Sequence, residues 1–544
     1  MVLLYWPLFH PGYTSRPLEA PPVPGKKILL VPLDSRPPCR QFVLDAGRIA
    51  DYAVTAPPSS IQDYYSLPGD TSAMKAWIRE NIRDSCALIL SVDQLLYGGL
   101  IAARESTASP EEVAALLEFL QRLHADFPQV PIYAFSILPR LSPQDTIDGY
   151  DERRWLTEYS RLAGRKAAGH SVDEERLAFL RERIPSESLE KYLSHFRENT
   201  SLNRSLIELA QKGVLSRLIL GQDDGEAYSI PNIEKEKLRK FLEERGIPEE
   251  LVFLAHGADE IALTLLAEIH GREMGFRPRV FLDYGEVGSE GLTMPFMAIP
   301  TGICAEEKLR MLGAISVASP EDADFILFLS ANDKEEGGLS ARTSSLLRLQ
   351  HFREKGYPIA LVDLSKHFQM EEILLPHLLR RDFPVNSLIA YAGWNTASNS
   401  IGTALAQACL FTGQKRELRE REDAIRLYGE NLRFLQNRIL EDAFYLKDVI
   451  TLVNTALIKE GYINTADLDL EHNARWANAM LQYAMGQRIA AYRETTAFRR
   501  PFSADFPEGK KTLRLGALSA DMSYPWPRTF EIHLESAIRL EEVP

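Results

Sequence analysis

Short apolar runs recur along the chain, and each gives way at its C-terminal end to a polar cluster. ILLVPLD runs into Asp34-Ser35-Arg36-Pro37, and ALILSVD into Asp93 and then Tyr97-Gly98-Gly99. RLILGQDD ends in Asp223-Asp224, VFLAHGADE in Asp259-Glu260 and SLIAYAGWNT in Trp394-Asn395-Thr396. A continuous Val/Ile/Leu run reads as a parallel strand buried on both faces. In α/β folds the ligand sits beyond the carboxyl ends of such strands. Polar residues repeating at that place predict one site built by many loops.

The runs predict strands at 27–33, 52–56, 86–92, 130–137, 216–221 and 251–255, with helices between them. The helix at 109–126 has the plainest signature: Ser109 as N-cap, Pro110 in the first turn and Glu112 closing a capping box. Val113, Leu116, Leu117, Leu120 and Leu123 then form one apolar stripe. Residues 150–212 are charged and helical in pattern, as an insertion over the strand ends. Phe276-Arg277-Pro278 marks a break, after which strands recur at 279–284, 324–329, 358–363 and 387–392. Helices at 304–315, 339–355 and 400–411 separate them. The pattern from 413 to 495 is helical. Trp526 and the prolines 501, 507, 525 and 527 suggest a final short strand or loop packing back. The fold expected is therefore α/β. Its parts are an irregular arm (1–25), a (β/α) barrel-like domain (26–275), a flavodoxin-like α/β domain (276–412) and a mainly helical C-terminal region (413–544).

The chain has 544 residues, more than one core usually supports. Its net charge of −14 leaves no basic surplus to neutralise phosphates, which argues against nucleic-acid or anionic-membrane partners. No apolar run is long enough to cross a bilayer. Residues 1–9 lack a basic n-region and are interrupted by Pro7, so they make a poor signal peptide. Cys39, Cys86, Cys304 and Cys409 are far apart, form no CxxC pair and read as inert thiols. A cytoplasmic location is the simplest expectation, with homo-oligomerisation left open.

Asp223-Asp224 is the sharpest chemical signal. Two adjacent acids after a buried strand repel each other and are half desolvated, so one is expected to have a raised pKa. An acid protonated near neutrality can serve as a general acid while its neighbour stays ionised. The plainer reading is that one of them caps the following turn. Asp34 with Arg36 offers a carboxylate and a planar donor fork for a polar ligand, unless the two only pair with each other. Asp93, Tyr97 and Arg104 form a third loop, whose Gly98-Gly99 permits close backbone approach. Asp259-Glu260 opens a helix, where acids complement the helix dipole. Glu260, the longer arm, is the better site candidate. Trp394 can stack on a sugar face and Asn395 can bond hydroxyls, with Asn399 beside them as ligand or N-cap.

The 11 histidines are scattered with no HxH or HExxH, and GxSxG, GxGxxG and GxxxxGK[ST] are absent. No cofactor is required. Asp34, Asp93, Asp223 and Asp224 offer the oxygen ligands that Mg²⁺ or Mn²⁺ would take.

LDSRP at 33–37, YGGLIAAR at 97–104, GQDDGE at 221–226, GADE at 257–260 and YAGWNTASN at 391–399 together resemble a bacterial family, domain of unknown function 4127. The resemblance runs from about residue 26 to the C-terminal region. It implies a bacterial source and brings no settled activity. From the residues, the leading expectation is a glycosidase acting on a sugar, an N-acetylated one among the candidates. Asp223 and Asp224 would be catalytic. Asp34, Arg36, Asp93, Tyr97, Arg104, Glu260, Trp394, Asn395 and Asn399 would hold the carbohydrate. The alternatives are a divalent-metal-dependent hydrolase or phosphotransfer enzyme using the same aspartates, and a non-catalytic sugar-binding protein.

Overall fold

The computed structural model describes residues 25–143, 150–331 and 338–543. The arm expected at 1–25 lies, but for Gly25, outside them. Strands β1 (Lys26–Val31), β2 (Tyr52–Thr55), β3 (Ser85–Ser91), β4 (Ile132–Leu138), β5 (Arg217–Gln222) and β6 (Val252–His256) form one parallel sheet, in the order β2-β1-β3-β4-β5-β6. All six lie within two residues of the expected runs.

The barrel-like closure expected for 26–275 does not form. β2 and β6 end the strand order without pairing to each other, so the sheet is open. Alternation along the strands shows why. Ile28, Leu30, Phe135 and Ile137 share one apolar layer with the helices Gln41–Ile49 and Ile261–Glu273. Leu29, Val31, Ala134 and Leu138 share the other with Thr71–Asn81, Pro110–Asp126, Ser186–Gln211 and Ile230–Glu244. A barrel keeps its inner face for its own side chains, and here helices cover both faces. The capping box at Ser109 and Glu112 forms as its residues predict, and Leu116, Leu120 and Leu123 are buried on that helix. Three helices, Tyr150–Ala167, Glu174–Arg183 and Ser186–Gln211, make up the 150–212 insertion. It carries a small core of its own around Leu156, Leu180, Tyr192 and Phe196.

β7 (Arg279–Tyr284), β8 (Ile315–Val317), β9 (Phe325–Ser330), β10 (Ile359–Asp363) and β11 (Ala390–Ala392) form a second parallel sheet, ordered β11-β10-β9-β7-β8. Counted from its own first strand, this is the flavodoxin-like order 2-1-3-4-5. The first sheet begins with the same winding, although the sequence carries no repeat. The short edge strand β8 begins at the half-exposed Ile315 and has no apolar run to announce it. Helices fill 421–459, including a π-helical turn at Ile439–Val449, and Ala474–Glu494. Where a short strand or loop packing back is expected, the last residues form three strands. β12 (Phe502–Phe506), β13 (Gly509–Ser523) and β14 (His533–Val543) form an antiparallel sheet. Its inward residues Leu513, Leu515, Leu518 and Leu534 join the main core.

No helix among the described residues is long and apolar enough to cross a membrane. The four cysteines are free, with Cys39, Cys304 and Cys409 buried and Cys86 half-buried.

Candidate active site

The carboxyl ends of both parallel sheets open on one cleft of about 310 Å³. From the first sheet come Arg36 after β1, Arg104 after β3, Arg140 after β4, Asp223 and Asp224 after β5, and Asp259 after β6. The second sheet adds Phe296 after β7, Phe368 after β10, and Asn395, Thr396 and Asn399 after β11. The β13–β14 loop supplies Arg528 and Phe530.

The two adjacent aspartates are held differently. Arg104 Nε and Nη2 donate to Asp223 Oδ2 at 2.7 and 2.6 Å, and the Asp224 backbone N–H donates to Asp223 Oδ1 at 2.8 Å. Burial opposes charge on Asp223, but Arg104, Arg140 and that backbone N–H outweigh it and hold its pKa below the ordinary value. No hydrogen-bond partner is found for the Asp224 carboxyl among the described residues. Burial, and then the charge of Asp223, push it up to about 7.

A second polar chain crosses the floor between the sheets. Arg36 Nη2 donates to Asp34 Oδ2 at 2.6 Å and to Asp259 Oδ1 at 2.7 Å. Asn399 Nδ2 reaches Asp259 Oδ2 at 3.3 Å and Asn395 Oδ1 at 2.7 Å. Burial raises Asp259 to about 6 against the pull of Arg36. The loop carrying Arg36 is braced from the C-terminal sheet, where Trp526 Nε1 donates to Ser35 Oγ at 2.8 Å. Asp63 in turn accepts from the Ser35 backbone N–H at 2.9 Å.

Of the residues expected at the site, Arg36, Arg104, Asp223, Asp224, Asn395 and Asn399 line the cleft. Asp34 is fully buried behind Arg36, whose Nε donates to it at 2.9 Å. Asp93 is buried and accepts from the Ile137 backbone N–H at 3.0 Å, joining β3 to β4 with a pKa raised by burial to about 7. Tyr97 packs on the apolar layer under the sheet. Gly98 accommodates the chain itself rather than a ligand, because a Cβ there would meet the Gly69 backbone at 2.7 Å.

Two expectations are corrected. Glu260 does not reach the cleft. Its side chain turns back into the protein, pairing with Lys308 at 2.5 Å and accepting from Ser398 Oγ at 2.6 Å. Asp259, the shorter arm, is the one that lines the site. Gly257, with φ of 93°, makes this turn, since a Cβ there would meet Ser398 Oγ at 2.0 Å and Glu260 Oε1 at 2.3 Å. Trp394 offers no sugar platform: it is 3% exposed, beneath Phe530 at 6.0 Å between ring centroids. Sequence reasoning missed Arg140, Phe296, Phe368, Arg528 and Phe530, which stand on loops without a motif.

The residues expected as metal ligands do not gather into one set. Among the described residues the only such group is Asp34, Cys39 and Asp259, and the Arg36 guanidinium already bridges its two carboxylates.

A model of the family described as "Protein of unknown function (DUF4127)" matches residues 28–535. The chain belongs to the DUF4127 family. No curated protein and no solved structure matches it. The matched span takes in every residue that lines the cleft and both parallel sheets but for Lys26 and Lys27 of β1.

Proposed function

We propose that the protein is a hydrolase of the glycosidase type with Asp224 as its general acid. The observation that carries this reading is the split between two adjacent carboxyls in one open cleft. Asp223 is held ionised by Arg104, and Asp224 keeps its proton up to about neutrality. Such a pair divides acid and ionised roles between chemically identical groups. Asp224 would protonate the glycosidic oxygen as the C1–O bond breaks. Both Asp223 oxygens are already engaged, so its part is to keep the proton on Asp224. Asp259, whose second oxygen has only contacts of 3.3 and 3.4 Å, would take a proton of the water that bonds to C1 as the leaving oxygen departs. Asn395, Asn399 and Thr396 would bond sugar hydroxyls. A screen of chromogenic glycosides, N-acetylhexosaminides included, tests the assignment. Release by the wild type and not by Asp224→Asn supports it, and equal release by the two removes it.

The metal-dependent reading has less support, because guanidinium groups already clasp Asp34, Asp223 and Asp259. Turnover is expected to be unchanged after incubation with EDTA and removal of the chelate. Loss of turnover with recovery on adding Mn²⁺ or Mg²⁺ would move the assignment to the metal-dependent class.

A further inference from the structure

We infer that Phe296 and Phe368 grip the apolar face of a pyranose ring, so that the site takes ring-form glycosides. This deepens the glycosidase reading and rests on it. Both residues line the cleft, on different loops of the second sheet, and both hold left-handed backbone, with φ of 64° and 56°. For a bulky side chain that conformation is an outlier, kept only where the surroundings impose it. Glycine would adopt the same backbone without strain. The rings are therefore what these positions supply. Phe296 is 54% exposed, so it fills no core. Its carbonyl accepts the Gly225 backbone N–H at 3.0 Å, which fixes the ring beside the Asp224 loop. The Phe368 ring is steadied by the buried Lys447 ammonium, 4.2 Å from its centroid. A pyranose presents C–H groups on its faces and hydroxyls at its edge. The phenyl rings suit the first by dispersion and apolar burial, and the cleft amides suit the second.

Phe296→Gly and Phe368→Gly test the clamp, because each removes the ring and relieves the backbone together. With the 4-nitrophenyl glycoside that the wild type cleaves fastest, each variant is expected to raise KM about tenfold, the upper range for one aromatic contact. The expected change in kcat is under threefold, with Tm unchanged or higher. A lowered Tm with unchanged KM would make the rings structural and overturn the clamp alone. If the wild type cleaves no glycoside, the glycosidase reading fails. The clamp is then read by saturation-transfer NMR with methyl glycosides of N-acetylglucosamine, glucose and galactose. Binding lost in both variants upholds it. Binding kept in both, or no binding by the wild type, overturns it.

Discussion

Asp224→Asn is expected to lower kcat by about 10²–10⁴-fold, the range that a positioned general acid contributes. Binding of the same glycoside should change little, because the amide keeps the shape of the carboxyl. The pH profile makes the test specific. Asp224 is active while protonated, so wild-type kcat/KM, which reports the free enzyme, falls as pH rises through about 7. The variant's residual rate should lack that limb. The wild type's stability also falls with rising pH, over the window just below that limb. The ordinary aspartate pKa is 3.8, so between 3.8 and about 7 folded Asp224 binds a proton that the unfolded chain releases. Its contribution is complete below that window and is lost as pH rises through it. Above pH 7 the native protein holds a desolvated carboxylate next to Asp223, and Asn removes it. At pH 8 the variant should therefore melt higher than the wild type while turning over far less. A lower melting temperature at pH 8 with activity intact would mean that Asp224 merely caps its turn.

Much of this site was legible because its parts sit at strand ends. The runs before Asp34, Asp93, Asp223 and Asp259 each form a parallel strand, and covered parallel strands write themselves as unbroken apolar stretches. Closure is not written that way. Strand runs of a barrel and of an open doubly wound sheet look alike, and only the helices on both faces tell them apart. The exchange of Asp259 for Glu260 was equally hidden. Which of two neighbouring acids faces solvent depends on the turn at Gly257 and on Lys308, which lies on a distant helix. A tryptophan beside an amide reads as recognition, but Trp394 is buried beneath Phe530 of the β13–β14 loop, which is distant in sequence. Phe296, Phe368 and Arg528 belong to loops whose sequence has neither period nor motif. The antiparallel sheet escaped for a related reason. In β13, Leu513 and Leu515 flank Arg514, but the register shifts between Leu515 and Ala517 and the next core leucine, Leu518, follows at a spacing of three, which breaks the period-two signal.

The second large effect is expected away from the chemistry, at Lys308→Met. Lys308 is fully buried, and its ammonium bonds Glu260 Oε1 and the His256 carbonyl. Ser398, at the start of the helix Ala397–Lys415, donates to the same carboxylate. One pair thus joins the end of β6, the helix Thr301–Leu312 and the helix that follows β11, and so ties together the carboxyl ends of both sheets. Removing the lysine leaves a carboxylate of about 1% exposure without its partner cation. Breaking a buried pair from one side costs about 3–5 kcal/mol, and the loss should appear as a lower urea midpoint. Glu260→Gln in the Lys308→Met background removes the orphaned charge, so the double variant should recover part of the stability. That non-additivity separates an ion pair from simple loss of packing, in which case the double variant would be less stable than Lys308→Met. The cleft is the seam that this pair closes. Lys308→Met should therefore raise KM for the cleaved glycoside even where the protein remains folded, although Lys308 does not itself line the cleft.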